Sequence, residues 1–237
     1  MAFIICYSIA VSKDHVEAGF PYISHTAVDV PERGIFTLLV FLGAIMLAAN
    51  MCVKYLEVEA QALIWTSHHP HDRCINIASL AVGLISAFGL AMVASFQTRE
   101  MREVHYTGAF LAFVGGMAYC WMQTSLSIRH RLRSIATYFQ IINSVLLTVF
   151  LFIFGISKIV YKNREAAGHG TKNDNLRDVY LLSTVSEWLT ALFSVSYVLT
   201  YCRDFYNGHF NFPSFSIRNE QVHNHPSSSG QNGEAVV

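Results

Sequence analysis

Glu187 is the residue whose type and place most suggest chemistry. It lies in the apolar run 179–201, eight residues from its start. That is about 12 Å along a helix at 1.5 Å per residue. A carboxylate at that depth must face a protein interior, take up a proton or find a partner. Ser183, Glu187, Thr190, Ser194, Tyr197 and Tyr201 recur at spacings of four and three, which sets one polar stripe along a helix. Candidate partners on other runs are Gln123, Gln140 and Asn143, with Lys158 the weaker choice. Two uses are open: a proton, ion or headgroup site, or a polar lock holding helices in register.

A second cluster, SHHPHDRC at 67–74, carries three His, an Asp and a Cys. Zinc needs four ligands that converge. Adjacent His68 and His69 before Pro70 cannot easily both turn inward, so the segment reads as a solvated loop and no metal ligand is assigned. Its imidazoles could also sense pH. Arg129, Arg131 and Arg133 suit anionic headgroups or plain juxtamembrane anchoring. P-loop, GxSxG, HExxH and dinucleotide motifs are absent. No catalytic residue and no cofactor is assigned.

The elements that must position these residues are written in the composition. The 237 residues are 53% hydrophobic and 14% charged, against about a quarter charged in soluble domains. Sixteen basic residues balance sixteen acidic ones, so no global field steers nucleic acid, which is excluded as a partner. The charges cluster and leave the runs 34–53, 75–96, 106–127 and 135–157 without any. Each has the roughly 20 residues that a hydrocarbon core about 30 Å thick requires. Only helices satisfy their own backbone there. The expected fold is all-α: a polytopic membrane helical bundle with five full transmembrane helices, at 34–53, 75–96, 106–127, 135–157 and 179–201. The apolar segment 2–11 is too short to span and forms a partial first helix. Residues 1–206 then make one multipass transmembrane domain, and the polar segment 207–237 is read as a disordered cytosolic tail.

Small residues mark helix contacts: Gly108, Ala112 and Gly116 on one run, Ser79, Gly83 and Ser86 on another. The five cysteines (6, 52, 74, 120 and 202) form no CxxC and no loop framework. Lys and Arg divide nine to seven between the two sides, too evenly to set orientation.

The loop GFPYISHTAVDVPERGIF at 19–36 joins the partial helix to the first full span. Pro21 and Pro31 bias Phe20 and Val30 towards extended backbone. Glu32 and Arg33 are expected on the water side, and Tyr22 at the interface with its hydroxyl in water.

Five motifs in order resemble the damage-regulated autophagy modulator (DRAM) and transmembrane protein 150 family, and more closely its DRAM branch. They are Phe20, Pro21, Tyr22, Ile23 and Ser24 with Pro31 and Glu32; Phe96 and Gln97; His105, Gly108 and Ala109; Glu187 and Trp188; and Arg203, Asp204 and Phe205. Ser95 stands where the family usually has Asn, His25 where it has Asp and Ala27 where it has Gly. The resemblance implies six spans, of which residues 2–11 supply the second half of the first. A shortened isoform or incomplete gene model is therefore expected. It also implies cytosolic termini, a lumenal or extracellular first loop, and no catalytic residues. The function so implied is a non-enzymatic regulator of autophagy in lysosomal or endosomal membranes. Its partners would be membrane lipids and membrane or cytosolic proteins that the sequence does not identify. Two alternatives stand beside it: a plasma-membrane adaptor for a phosphatidylinositol 4-kinase complex, and a transporter or channel using Glu187.

Overall fold

The computed structural model describes residues 2–62, 70–131 and 134–206. Ser67, His68, His69, Arg133 and the tail 207–237 lie outside the described residues. The described residues form seven helices in order: α1 Ala2–Ser12, α2 Glu32–Ala62, α3 Pro70–Ser95, α4 Arg102–Arg131, α5 Ile135–Ala166, α6 Arg177–Leu199 and the short α7 Cys202–Tyr206. A 3-10 turn, Ile23–Ala27, lies between α1 and α2. The described residues hold no strand.

The long helices outrun their apolar segments. α2 has 31 residues, about 46 Å at 1.5 Å per residue, so its ends reach beyond a core of about 30 Å. α5 stops at Gly168, whose φ of 76° suits glycine alone without cost. There the Gly168 N–H donates to Glu165 O (3.1 Å) and the His169 N–H to Arg164 O (3.0 Å), which closes a Schellman cap. α3 begins on Pro70, where the missing N–H would have had no partner in any case. The segment expected as a solvated loop at 67–74 is therefore helical from Pro70 onward. Its Asp72 is buried and accepts from Arg129 Nη1 (2.6 Å) and His130 Nε2 (2.8 Å).

Polarity is inverted relative to a water-soluble fold. Leu38, Met46, Phe88, Phe110, Phe152 and Leu199 face outward, while Ser79, Gln123, Thr124, Ser144, Ser183 and Thr190 are buried. So large an apolar exterior is stable only in lipid, and the chain is an integral membrane protein. By length and composition α2, α3, α5 and α6 qualify as membrane-crossing helices. α4 is long enough but richer in Gly, Ser, Thr and Gln. Its polar residues are spent inside the bundle. Gln123 Nε2 donates to Ser79 Oγ (2.7 Å), and Thr124 Oγ1 shares hydrogens with Ser144 Oγ (2.9 Å) and the Tyr197 hydroxyl (3.0 Å). Such interhelical bonds contribute about 0.6 kcal/mol each on average.

Neighbours in sequence pack as neighbours in space, most closely α3 on α4 and α5 on α6; α4 and α5 touch less. The α3–α4 crossing is backbone against backbone at Gly89 and Gly108. A Cβ on Gly89 would come within 2.6 Å of Ala112 N and 2.7 Å of Gly108 O, and one on Gly108 within 2.9 Å of Gly89 O. Since rigid backbone cannot give way, Gly89→Ala and Gly108→Ala should each destabilise the purified protein by about 1–3 kcal/mol. Gly155→Ala, whose Cβ would meet nothing within 4 Å, should not. Thermal unfolding in detergent measures this, and equal melting temperatures for all three variants would refute the close crossing.

Candidate functional site

The first loop is not a surface loop. Pro21, Tyr22, Ile23, Thr26 and Ala27 are buried. Its course is set by Phe20, which takes φ +52° instead of the expected extended backbone. A bulky residue held there costs about 1–3 kcal/mol and persists only where its surroundings enforce it. The chain then turns inward, and Tyr22 (φ −55°, ψ 142°) leads into the 3-10 turn. The first N–H groups of a helical turn have no partner within it. Ile23 is 6% exposed, so water cannot serve it either.

Glu187 supplies that partner. Its Oε2 accepts the Ile23 N–H at 2.7 Å. Two more bonds from α6 hold the same stretch: Tyr22 donates its hydroxyl to Ser183 Oγ (2.9 Å), and Trp188 Nε1 donates to Pro21 O (3.0 Å). Trp188 also gathers Phe3, Tyr7 and Phe20 edge-on at centroid distances of 6.4, 6.0 and 6.5 Å, which ties α1 to the loop. Burial pushes the Tyr22 phenol upward from its usual pKa, so it stays a neutral donor. The Pro-Tyr-Ile and Glu-Trp motifs, more than 160 residues apart, thus form one clamp.

The stripe on α6 faces inward along its length. Ser183 and Glu187 hold the loop, while Thr190 and Ser194 return their hydroxyls to the α6 backbone, at Ser186 O and Thr190 O. Tyr197 donates to Cys120 O (2.9 Å), and Tyr201 donates to Tyr119 (3.3 Å). Three of the four side chains considered for Glu187 are engaged elsewhere, and the fourth, Lys158, interacts with it through charge alone. Gln123 reaches Ser79, Gln140 Nε2 reaches Thr200 Oγ1 (3.2 Å) and Asn143 Nδ2 reaches Phe139 O (2.8 Å).

Around the clamp, motif residues from the α3–α4 connection brace the same end of the bundle. His105 Nδ1 donates to Phe96 O (2.7 Å), which closes the α3–α4 connection, and Gln97 is buried beside it. Arg99 pairs with Asp29 (2.9 Å) and Arg33 with Glu100 (2.8 Å), so this connection grips the first loop. Glu32 was expected on the water side, but it is 1% exposed and bonds to His15 Nδ1 through Oε1. Ser24 lies half-buried after the clamp, Pro31 precedes α2 through a cis peptide bond, and Gly108 and Ala109 lie on α4. Arg203 and Asp204 lie at the far end on α7, where the Phe205 ring meets Tyr201 at 6.0 Å.

Beside the clamp, Lys158 on α5 places Nζ over the rings of Tyr22 (4.6 Å), Tyr106 (5.0 Å) and Phe154 (5.0 Å). Sequence reasoning had no signal for this cage, since its rings come from three separate segments. His25 faces the same space, edge-on to Tyr22 at 5.2 Å. One side of the His25 ring stays exposed, while the protein packed against the other side and the charges of Lys158, Lys162, Lys172 and His105 disfavour its protonation. Its pKa falls from 6.5 to about 4.

The fold and site define a polytopic helical membrane protein whose first loop is drawn inside the bundle and clamped to the last long helix. Over residues 1–208 the sequence matches the family described as Frag1/DRAM/Sfk1/Cwh43P N-terminal domain, and the chain belongs to that family. It is 31% identical over 214 residues to DNA damage-regulated autophagy modulator protein 1 of Homo sapiens, covering 86% of this chain and 85% of that protein. It is 31% identical over 218 residues to DNA damage-regulated autophagy modulator protein 2 of Mus musculus, covering 86% and 78%. To Modulator of macroautophagy TMEM150B-A of Xenopus laevis it is 34% identical over 125 residues, covering 52% and 51%. No solved structure matches it.

The His25 shift sets a pH dependence. Unfolded His25 titrates near 6.5 and the folded residue near 4, so the unfolded chain binds more protons between those values. Its contribution to stability is complete above about pH 6.5 and is lost as pH falls towards 4. The melting temperature in detergent should drop over that window, and His25→Gln should flatten the drop. An unchanged profile in the variant would refute the assignment.

Proposed function

We propose that this protein is a non-enzymatic modulator of autophagy resident in lysosomal or endosomal membranes, acting through protein partners. The observation that carries the reading is the similarity to named autophagy modulators over 86% of the chain. The match runs over 214 and 218 residues and is not confined to one motif. The local geometry supports a structural use of the polar residues. Glu187 is engaged by a backbone N–H, and Ser183 by a tyrosine hydroxyl. Neither is set as nucleophile and base, which would need a mutual hydrogen bond and an orienting third group. A clamp instead fixes the shape of the loop and of the bundle end around it, the surface that partners on that side would read.

The test is a tagged full chain imaged with lysosomal, endosomal and plasma-membrane markers, together with autophagic flux on loss and on overexpression. Overexpression should raise flux and loss should lower it, with the tag on lysosomal or endosomal membranes. Tyr22→Ala with Glu187→Ala should reduce the flux effect at matched expression. Flux unchanged in both directions would overturn the role, and signal confined to the plasma membrane would overturn the residence.

A further inference from the structure

A cavity of about 1460 Å³ opens beside the clamp, between α4 and α5 and beneath the first loop. Its wall is apolar, with Phe110, Phe113 and Met117 from α4 and Leu151, Phe152 and Ile156 from α5. Phe110, Phe152 and Ile156 are each more than 60% exposed, so the cleft lies open to surrounding lipid. It lies where α4 and α5 touch less than α2 with α3, α3 with α4 or α5 with α6. Gly155 widens it further: it lies in the wall, and a Cβ there would meet nothing. From Leu151 to Lys158, both in the lining, α5 rises about 10 Å at 1.5 Å per residue. That fits inside one leaflet, about half of a hydrocarbon core of about 30 Å.

The mouth of the cleft has a different chemistry. Lys172 pairs with Glu17 (3.6 Å) and Arg99 with Asp29 (2.9 Å). Glu187 accepts from Ile23. Among the described residues Arg102 and Lys158 form no ion pair, although Lys158 feels the charge of Glu187; Asp14 is the one rim carboxylate equally unpaired. Two cations thus stand above an apolar slot that fits within one leaflet, and Lys158 is held in place there by three rings.

We infer that this cleft binds a glycerophospholipid with an anionic headgroup from the leaflet on the first-loop side. One acyl chain lies between α4 and α5, and the phosphate meets Arg102 and Lys158. A water-soluble anion would leave the apolar wall unfilled and facing bilayer. A zwitterionic lipid would leave the two cations without a matching charge. The assignment is independent of the autophagy reading, since it concerns only what fills the cleft.

The test uses the full chain in neutral detergent, titrated with phosphatidic acid and with phosphatidylcholine of the same acyl chains and read by native mass spectrometry. Phosphatidic acid should be retained at least about fivefold more tightly, the share of one basic side chain near an anionic headgroup. Arg102→Gln should narrow that preference about fivefold. Gly155→Phe should lower retention of both lipids by filling the slot. A second measurement needs no variant: phosphatidic acid with a photoactivatable acyl chain should label 110–117 and 151–156 in the unaltered protein. Equal retention of the two lipids, wild-type retention in Gly155→Phe, or labelling confined to Leu182, Leu192 and other outer-face residues would overturn the inference.

Discussion

The structure depends on one hydrogen bond, from the Ile23 amide to the Glu187 carboxylate. A turn buried inside a membrane bundle exposes N–H groups that neither water nor lipid can satisfy, and each one left unpaired costs several kcal/mol. Glu187 removes that penalty for the first loop. With the turn anchored there, Tyr22 reaches Ser183, Pro21 O lies under Trp188 and Phe20 can keep its positive φ. The carboxylate in turn escapes the cost of standing alone at depth. Each half of the pair makes the other tolerable.

The clamp also organises what lies next to it. Because the loop dips inward, the Tyr22 ring comes under Lys158 and His25 is drawn to the wall of the cleft. The same loop, with Tyr22, Ser24 and His25 in the lining, roofs the cleft between α4 and α5. The far half of the bundle is closed by a separate device, the Tyr119, Tyr197 and Tyr201 cluster with Thr124. One end is thus tight and polar-locked, while the other combines a locked loop with an open cleft.

Much of this was legible in the residues. The charge-free runs foretold the long helices, and the spacing from Ser183 to Tyr201 foretold an inward polar stripe, since only one face of α6 could carry it. The partner of Glu187 was not legible. Reasoning from side chains proposes side-chain partners, and here the donor is a backbone amide 164 residues away. Tyr22, Glu32 and Phe20 were misplaced for a related reason. A loop with two prolines and several charges reads as surface, and only Ile23 and Ala27 hinted that part of it is apolar and buried. The α3–α4 crossing was half legible. Ser79, Gly83 and Ser86 mark the face, and extending the same spacing by three reaches Gly89, where backbone meets backbone. The aromatic cage around Lys158 had no linear signal, because tertiary structure alone brings its rings together.

Hydrogen exchange of residues 20–27 in a lipid nanodisc tests the central claim most directly. The account predicts that these amides are protected in the wild-type chain like those of α6. In Glu187→Ala they should exchange roughly 5- to 150-fold faster, corresponding to the loss of about 1–3 kcal/mol when a buried donor loses its acceptor. Glu187→Gln, which keeps an acceptor oxygen, should retain most of the protection. Unprotected exchange of 20–27 in the wild-type chain, or protection unchanged by Glu187→Ala, would contradict the account.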